Sequence, residues 1–175
     1  MRIPKRYQDA VLNKSITFDT KKSWYIFGEP GTGKTYYVWA FYLKWSNAEK
    51  EKETKIFDKS QTHYTYELPL IVNWAVQCAE FRSTNYQRRD ELISEMIKSK
   101  WLIIDDVGSE IKTDFSDDIL FRVLNERYEE MKYTSFTSNL NLGGLHYDGR
   151  IISRIAGIVS DNKFEIKGKD LRIKK

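Results

Sequence analysis

The segment Gly28-Glu29-Pro30-Gly31-Thr32-Gly33-Lys34-Thr35 fits the pattern G-x-x-x-x-G-K-[ST]. It constrains the chain more than any other stretch, because a polyphosphate loop of this form needs a strand before it and a helix after it. Glycines let backbone N–H groups turn inward around phosphate oxygens, Lys34 supplies a point charge to the β and γ oxygens, and the Thr35 hydroxyl can ligate Mg²⁺. Both flanks agree with the motif. Ser23-Trp24-Tyr25-Ile26-Phe27 is aromatic and β-branched, which suits a strand. Lys34 to Trp45 runs without Gly or Pro, and Val38, Phe41, Tyr42 and Trp45 recur at i, i+3, i+4 and i+7. One helical stripe can therefore face a core while the helix N-terminus points its dipole at the phosphates. The expected ligand is a nucleoside triphosphate; the alternative is a Gly-rich turn that binds nothing.

A second acidic element follows. Trp101-Leu102-Ile103-Ile104-Asp105-Asp106 is an apolar run ending in two carboxylates, the form of a buried strand whose tip delivers acids to a ligand. Asp105 is the expected Mg²⁺ ligand, direct or through water, and Asp106 the residue that orients and deprotonates the water attacking the γ-phosphate. Successive strand residues point to opposite sides, which allows adjacent acids to have different tasks. The alternative is a turn that merely closes a strand. Tyr133-Thr134-Ser135-Phe136-Thr137-Ser138-Asn139 is another strand-like run with a polar end; Asn139 can hydrogen-bond the γ-phosphate or the attacking water, or simply cap the strand. Arg150 and Arg154 are four residues apart, hence on one face if helical. An arginine so placed can act as a finger that makes hydrolysis depend on assembly, or both can be solvated on a surface helix.

At 175 residues the chain is about the size of one domain, with room for a substantial core but not for two. We therefore expect a single unit over 1–175, with 1–22 as a lead-in. No apolar run approaches the roughly 20 residues of a membrane span, and the basic N-terminus opens onto no apolar signal region, so no membrane partner is expected. Cys78 is the only cysteine; this excludes an internal disulfide and fits a reducing cytoplasm. Its neighbours Ala75, Val76 and Ala79 suggest simple burial. A formal charge of +4, from 29 basic and 25 acidic residues, is compatible with a nucleic-acid partner but too slight to identify one. Strand-like runs at Trp24–Phe27, Leu70–Val72, Leu102–Ile104, Tyr133–Thr137 and Phe164–Ile166 alternate with helix-compatible stretches, which reads as α/β with a mainly parallel sheet. The charged run Asn47 to Lys55 either extends the first helix or forms an exposed connection. Ile56 to Glu67 has no clear period, and 47–66 is a candidate insertion.

With these residues in view, the chain resembles the ATPase domain of DnaC/IstB-type AAA+ proteins, the bacterial helicase loaders and transposition helper ATPases. Seven elements carry the resemblance in order: Ile3–Ala10, Gly28–Thr35, Leu102–Glu110, Asn125–Tyr128, Thr137–Leu140, Arg150–Ile155 and Gly168–Arg172. The resemblance implies a P-loop fold of the ASCE/AAA+ type with five mainly parallel strands flanked by helices, ATP with Mg²⁺, homo-oligomeric assembly into a ring segment or spiral, and single-stranded DNA along the inner surface. It assigns Asn139 to sensor 1, and Arg154 rather than Arg150 to the arginine finger. Asp106 stands where most AAA+ proteins have Glu, but paired Asp is familiar in the DnaC-like branch. With 21 residues after Arg154 and 27 before Gly28, neither a helical lid nor a separate helicase-gripping N-terminal domain is expected within this sequence.

In this family the segment between the P-loop helix and the paired acids helps to contact DNA. Here it contains Trp74, Phe81, Arg82, Tyr86, Arg88 and Arg89. Cations interleaved with aromatics suit a single strand, and Arg82, Arg88 and Arg89 are the leading candidates. The competing reading makes Trp74, Cys78 and Phe81 a core stripe with the arginines solvated. The leading function is a DNA-dependent ATPase serving a replicative helicase, as loader or replication accessory factor. An ATP-switched adaptor for a transposase is the alternative, and a small P-loop nucleotide kinase a third, for which Asp105-Asp106, Asn139 and Arg154 together have no use.

Overall fold

The computed structural model describes residues 3–12, 21–57 and 68–171, with side chains in the first long helix described as far as Ala48. Five strands, β1 (Tyr25–Phe27), β2 (Leu70–Asn73), β3 (Trp101–Asp105), β4 (Tyr133–Ser138) and β5 (Lys163–Glu165), alternate with α1 (Lys34–Phe57), α2 (Trp74–Ser83), α3 (Tyr86–Lys98), α4 (Asp114–Glu129) and α5 (Gly149–Val159). They form one sheet in the order β2-β3-β4-β1-β5, and every pairing is parallel. The expected strands are all present, each with one or both ends a single residue away from expectation: β1 at its start, β2 and β4 at their ends, and β3 and β5 at both. Among the described residues no helical lid follows β5, and no helix is long and apolar enough to cross a membrane.

Continuous apolar strands arise because helices cover both faces of the sheet. Trp24, Ile26, Trp101 and Ile103 pack on one side with Val38 and Phe41 of α1, and Trp45 closes over them. Tyr25, Leu102, Ile104 and Phe136 point to the other side, where α2 to α5 contribute Trp74, Phe81, Ile93, Leu120 and Ile155. Of the expected stripe on α1, Val38, Phe41 and Tyr42 are buried and Trp45 partly so, and Tyr42 packs with Ala10 and Trp39 on a separate flank. α1 continues as helix through Phe57, so the charged run beginning at Asn47 extends it. Residues 58–67, which include most of the unperiodic stretch, lie outside the described residues, as do 1–2 and 13–20 of the lead-in and Arg172.

Polar caps set the helix starts. The Asn73 side chain accepts from Val76 N at 3.1 Å and the Asn85 side chain from Arg88 N at 2.9 Å. Thr113 and Ser116 form a reciprocal capping box at α4, and Asp148 accepts from Arg150 N and Ile151 N at α5. Each cap satisfies N–H groups that a helix start leaves without intrahelical partners. The Asn85 cap breaks the Trp74–Arg89 segment into two helices. Within α2, Trp74, Cys78 and Phe81 form the buried stripe, so Cys78 is buried as expected. Its neighbours Val76 and Ala79 are exposed, because helical spacing, not adjacency, decides the face.

Candidate functional site

In a parallel sheet the loops after neighbouring strand ends converge where connections diverge to opposite sides. The order β3-β4-β1 places Asp105-Asp106, Thr137–Asn139 and the Gly28–Thr35 loop side by side. Pro30, Gly31, Lys34, Thr35, Asp106 and Asn139 all line one cleft of about 250 Å³. Gly28, Thr32 and Lys34 are buried, and Glu29 and Pro30 form the exposed rim. Gly31 has φ +81°, and a Cβ there would lie 2.0 Å from a carboxylate oxygen of Asp170; Leu171 N–H also donates to Gly31 O at 3.0 Å. The loop can pass beneath the 168–171 segment only without a side chain at this position.

Lys34 Nζ folds back into the loop and donates to Gly28 O at 2.8 Å and Glu29 O at 3.0 Å. This puts a buried ammonium in the concavity where a phosphate would accept from it. Thr35 Oγ1 donates to Asp105 Oδ2 at 3.1 Å, joining the two oxygen donors expected of a Mg²⁺ site. Among the described residues no group of three His, Cys, Asp or Glu side chains could cage a metal by itself.

Thr137, which the sequence did not single out, is the joint of this site. Its hydroxyl donates to Asp105 Oδ1 at 2.6 Å and accepts from Asp106 N at 2.9 Å. Its signal was the hydroxyl-rich tip of β4 next to Asn139. Burial pushes the Asp105 carboxyl above its ordinary range; the hydroxyls of Thr137 and Thr35 and the Lys34 ammonium oppose that rise, and the neighbouring Asp106 adds to it. A carboxyl raised in this way is easier to ionise in the unfolded chain, so its charge works against folding at neutral pH and the penalty fades as pH falls through the raised pKa. Asp105→Asn is therefore expected to stabilise the nucleotide-free protein by about 1 kcal/mol at pH 7, with a smaller gain in acid. Thermal melts across pH measure it, and a loss of stability at neutral pH would refute it.

Other walls of the cleft escaped sequence reasoning. Arg6, Tyr7, Tyr36 and Leu171 line it as well. Tyr7 stacks on Trp39 of α1 with ring centroids 6.1 Å apart and the Arg6 guanidinium 5.1 Å from the Tyr7 centroid, and the Tyr36 hydroxyl accepts from Val11 N at 3.0 Å. The lead-in is thus fastened to α1, bringing Arg6 and Tyr7 to the cleft from far along the chain.

Comparison with known proteins gives no match to any family profile or curated sequence. Solved structures do match. The crystal structure of DnaI superposes with a TM-score of 0.62 and 25% identity, over 90% of this chain and 76% of that one. A DnaC helicase loader gives 0.66 and 19%, over 94% and 100%. The chain has a DnaC-like AAA+ ATPase fold. The replication initiator DnaA bound to AMPPCP and single-stranded DNA gives 0.59 and 19%, over 85% of this chain but only 41% of that one.

In this DnaC-like fold Arg154 lies away from the cleft, on α5, where its Nε donates to Asn125 Oδ1 at 2.9 Å and its guanidinium sits 4.9 Å from the Tyr128 ring centroid. Arg150 pairs with Asp148 at 2.8 Å and covers Phe121. The candidate DNA residues divide. Arg82 is exposed, and Arg88 is exposed and paired with Glu91 at 3.2 Å. Arg89 instead donates to Phe81 O at 3.0 Å and Thr84 O at 3.3 Å and lies over Phe115 at 4.8 Å. It satisfies carbonyls at the end of α2, which sequence spacing could not distinguish from a solvated arginine. Trp74 and Phe81 are fully buried and Tyr86 is 74% exposed, so of these aromatics Tyr86 is the one open to a base.

Proposed function

We propose that this chain is an ATP-hydrolysing AAA+ protein of DNA replication that assembles head to tail, binds single-stranded DNA and serves a replicative helicase as loader or accessory factor. The observation that carries this reading is the meeting, in one cleft, of the Gly28–Thr35 loop, Asp106 and Asn139, contributed by three adjacent strands, with Asp105 bonded to Thr35 behind them. The whole chain acts as one nucleotide-binding unit. Lys34 and the loop amides bind the phosphates, and Thr35 with Asp105 would hold Mg²⁺, which when bound neutralises charge on the β and γ oxygens. Asp106 orients the attacking water and accepts its proton as the bond from the γ phosphorus to the β–γ bridging oxygen breaks. Asn139 holds that water or the γ-phosphate in line. Arg82, Arg88 and Tyr86 offer charge and one stacking surface to a single strand, and the DnaI, DnaC and DnaA likenesses support a place in replication.

Arg154 completes a neighbour's site. A contact that presents a finger from one subunit to the ATP of the next is head to tail, and generates rings or open spirals. Arg154→Ala should bind ATP nearly as wild type yet hydrolyse it poorly, and Asp106→Asn should do the same for a different reason. Mixed, the first supplies an intact acid site and the second an intact finger, so activity is expected to return in part. A mixture that stays inactive under conditions where wild type assembles with ATP, by light scattering, rules out Arg154 as the finger and points to Arg150.

A further inference from the structure

The turn that carries Asp106 is gripped from two sides, and only one grip comes from the strands that form the cleft. On the sheet side, Thr137 holds Asp106 N and its carbonyl accepts from Val107 N at 2.9 Å, while Ser138 Oγ donates to Val107 O at 2.7 Å. On the outer side, Gly108 N–H donates to Glu110 Oε2 at 2.9 Å and to the Tyr147 hydroxyl oxygen at 3.2 Å. That hydroxyl donates in turn to Glu110 Oε1. The three groups close a small ring of hydrogen bonds between the Asp106 turn and the residue just before Asp148, the cap of α5.

The surroundings leave this ring little freedom. Gly108 has φ +85°, and a Cβ there would stand 2.7 Å from Leu145 Cδ2. Lys112 Nζ lies 5.6 Å from the Tyr147 ring centroid and pairs with Asp117 at 3.3 Å. Burial, and next the bond to Glu110, push the Tyr147 phenol well above its ordinary range. It therefore stays protonated across neutral pH and keeps its donor. Asp106 itself has φ +60°, a left-handed conformation that a non-glycine residue holds at a cost of order 1 kcal/mol and only where neighbouring structure fixes it.

We propose that Glu110 and Tyr147 are positioning residues for hydrolysis: through Gly108 they hold the Asp106 turn in its left-handed conformation, with the Asp106 carboxylate at the phosphate cleft. Neither residue lines that cleft, so they act through Asp106 and not on the substrate. This rests on the ATPase reading above.

The test compares wild type with Tyr147→Phe, Glu110→Ala and Glu110→Gln. Single-turnover ATP hydrolysis should fall about tenfold or more in Tyr147→Phe and Glu110→Ala, since small misplacement of a reacting group is costly. The Kd of a non-hydrolysable ATP analogue should change less than twofold, and the Gly108 amide should exchange faster by NMR. Glu110→Gln keeps an acceptor for Gly108 and should recover most of the rate. The double variant Tyr147→Phe/Glu110→Ala should be no slower than its slower parent, because the pair acts as a unit. Unchanged hydrolysis in Tyr147→Phe with faster Gly108 exchange would overturn the proposal, as would parallel losses of affinity and rate. A wild type that binds ATP without turning it over would sink the ATPase reading and this inference with it, whereas active wild type with equally active variants sinks the inference alone.

Discussion

Lys34→Ala should raise the Kd for ATP about a hundredfold or more, whereas Asp106→Asn should leave that Kd within a few-fold and slow hydrolysis by at least about a hundredfold. The first magnitude follows from deleting one partner of a desolvated charge pair, the second from removing a general base. In the structure the Lys34 ammonium is bonded to Gly28 O and Glu29 O. On the proposed reading a phosphate competes with these carbonyls by offering full negative charge in a buried site. Asp106 approaches the same cleft from the end of β3, two strands from β1, and among the described residues no hydrogen bond joins its carboxylate to the loop. Titration calorimetry and a phosphate-release assay separate the two effects. Equal losses of affinity in both variants, with the circular dichroism of each unchanged, would contradict this division of labour.

The largest effect on stability is expected far from the chemistry. Arg127 has no exposed surface, and its hydrogen bonds go to carbonyls and hydroxyls: Nη1 donates to Met96 O at 2.7 Å, Ile97 O at 3.1 Å and Ser99 O at 2.8 Å, Nη2 to Tyr133 O at 2.5 Å, and Nε to Thr134 Oγ1 at 2.8 Å. Three of these are carbonyls at the C-terminal end of α3, where the helix carries partial negative charge. Burial lowers the guanidinium pKa to about 10, which still leaves it charged at neutral pH. Arg127→Met fills much of the space and removes every donor; Met96 O keeps Ser99 Oγ and Ile97 O keeps Lys132 Nζ, so the loss falls on the Ser99 and Tyr133 carbonyls and on Thr134 Oγ1. We expect a loss of about 3 kcal/mol, read as a lower denaturation midpoint at unchanged slope. Arg127→Lys should recover little, since one ammonium cannot reproduce the planar fork. A midpoint shift equivalent to less than about 1 kcal/mol in Arg127→Met would show that the carbonyls find other partners.

What could be read from the sequence was what repeats at fixed short spacing. The Gly28–Thr35 motif was legible because its glycines, Lys34 and Thr35 stand at fixed spacing within eight consecutive positions, and β3 because four apolar residues in a row suit a strand covered on both faces. Asn139 lies beside them because β4 sits between β3 and β1 in the sheet. Contacts between distant segments were not legible. Nothing near Arg127 separates it from a solvated arginine on an amphipathic helix. Tyr147 and Glu110 lie on different connections, and Arg6 reaches the cleft on a segment held to α1 by Tyr7 stacked on Trp39 and by Val11 bonded to the Tyr36 hydroxyl. β4 was the hardest strand to read by hydrophobicity: Thr134, Ser135, Thr137 and Ser138 are all buried, since their hydroxyls bond across the sheet and to the turns at its edge. Ser135 Oγ, for example, accepts from both Trp24 N and the Trp101 indole. The division of the Trp74–Arg89 segment depended on one cap, Asn85, within the short polar run Ser83-Thr84-Asn85.

The tryptophans are unevenly shared between the two layers. Of the five, Trp24 and Trp101 are sealed under α1 with Trp45 beside them and Trp39 on its flank, while Trp74 alone sits in the layer built by α2 to α5. The protein thus carries its own optical labels, four in one compartment and one in the other. Emission from Trp74→Phe would belong wholly to the α1 layer, and its melting curve set beside that of the intact protein would show whether the layers on either side of the sheet come apart together or in turn.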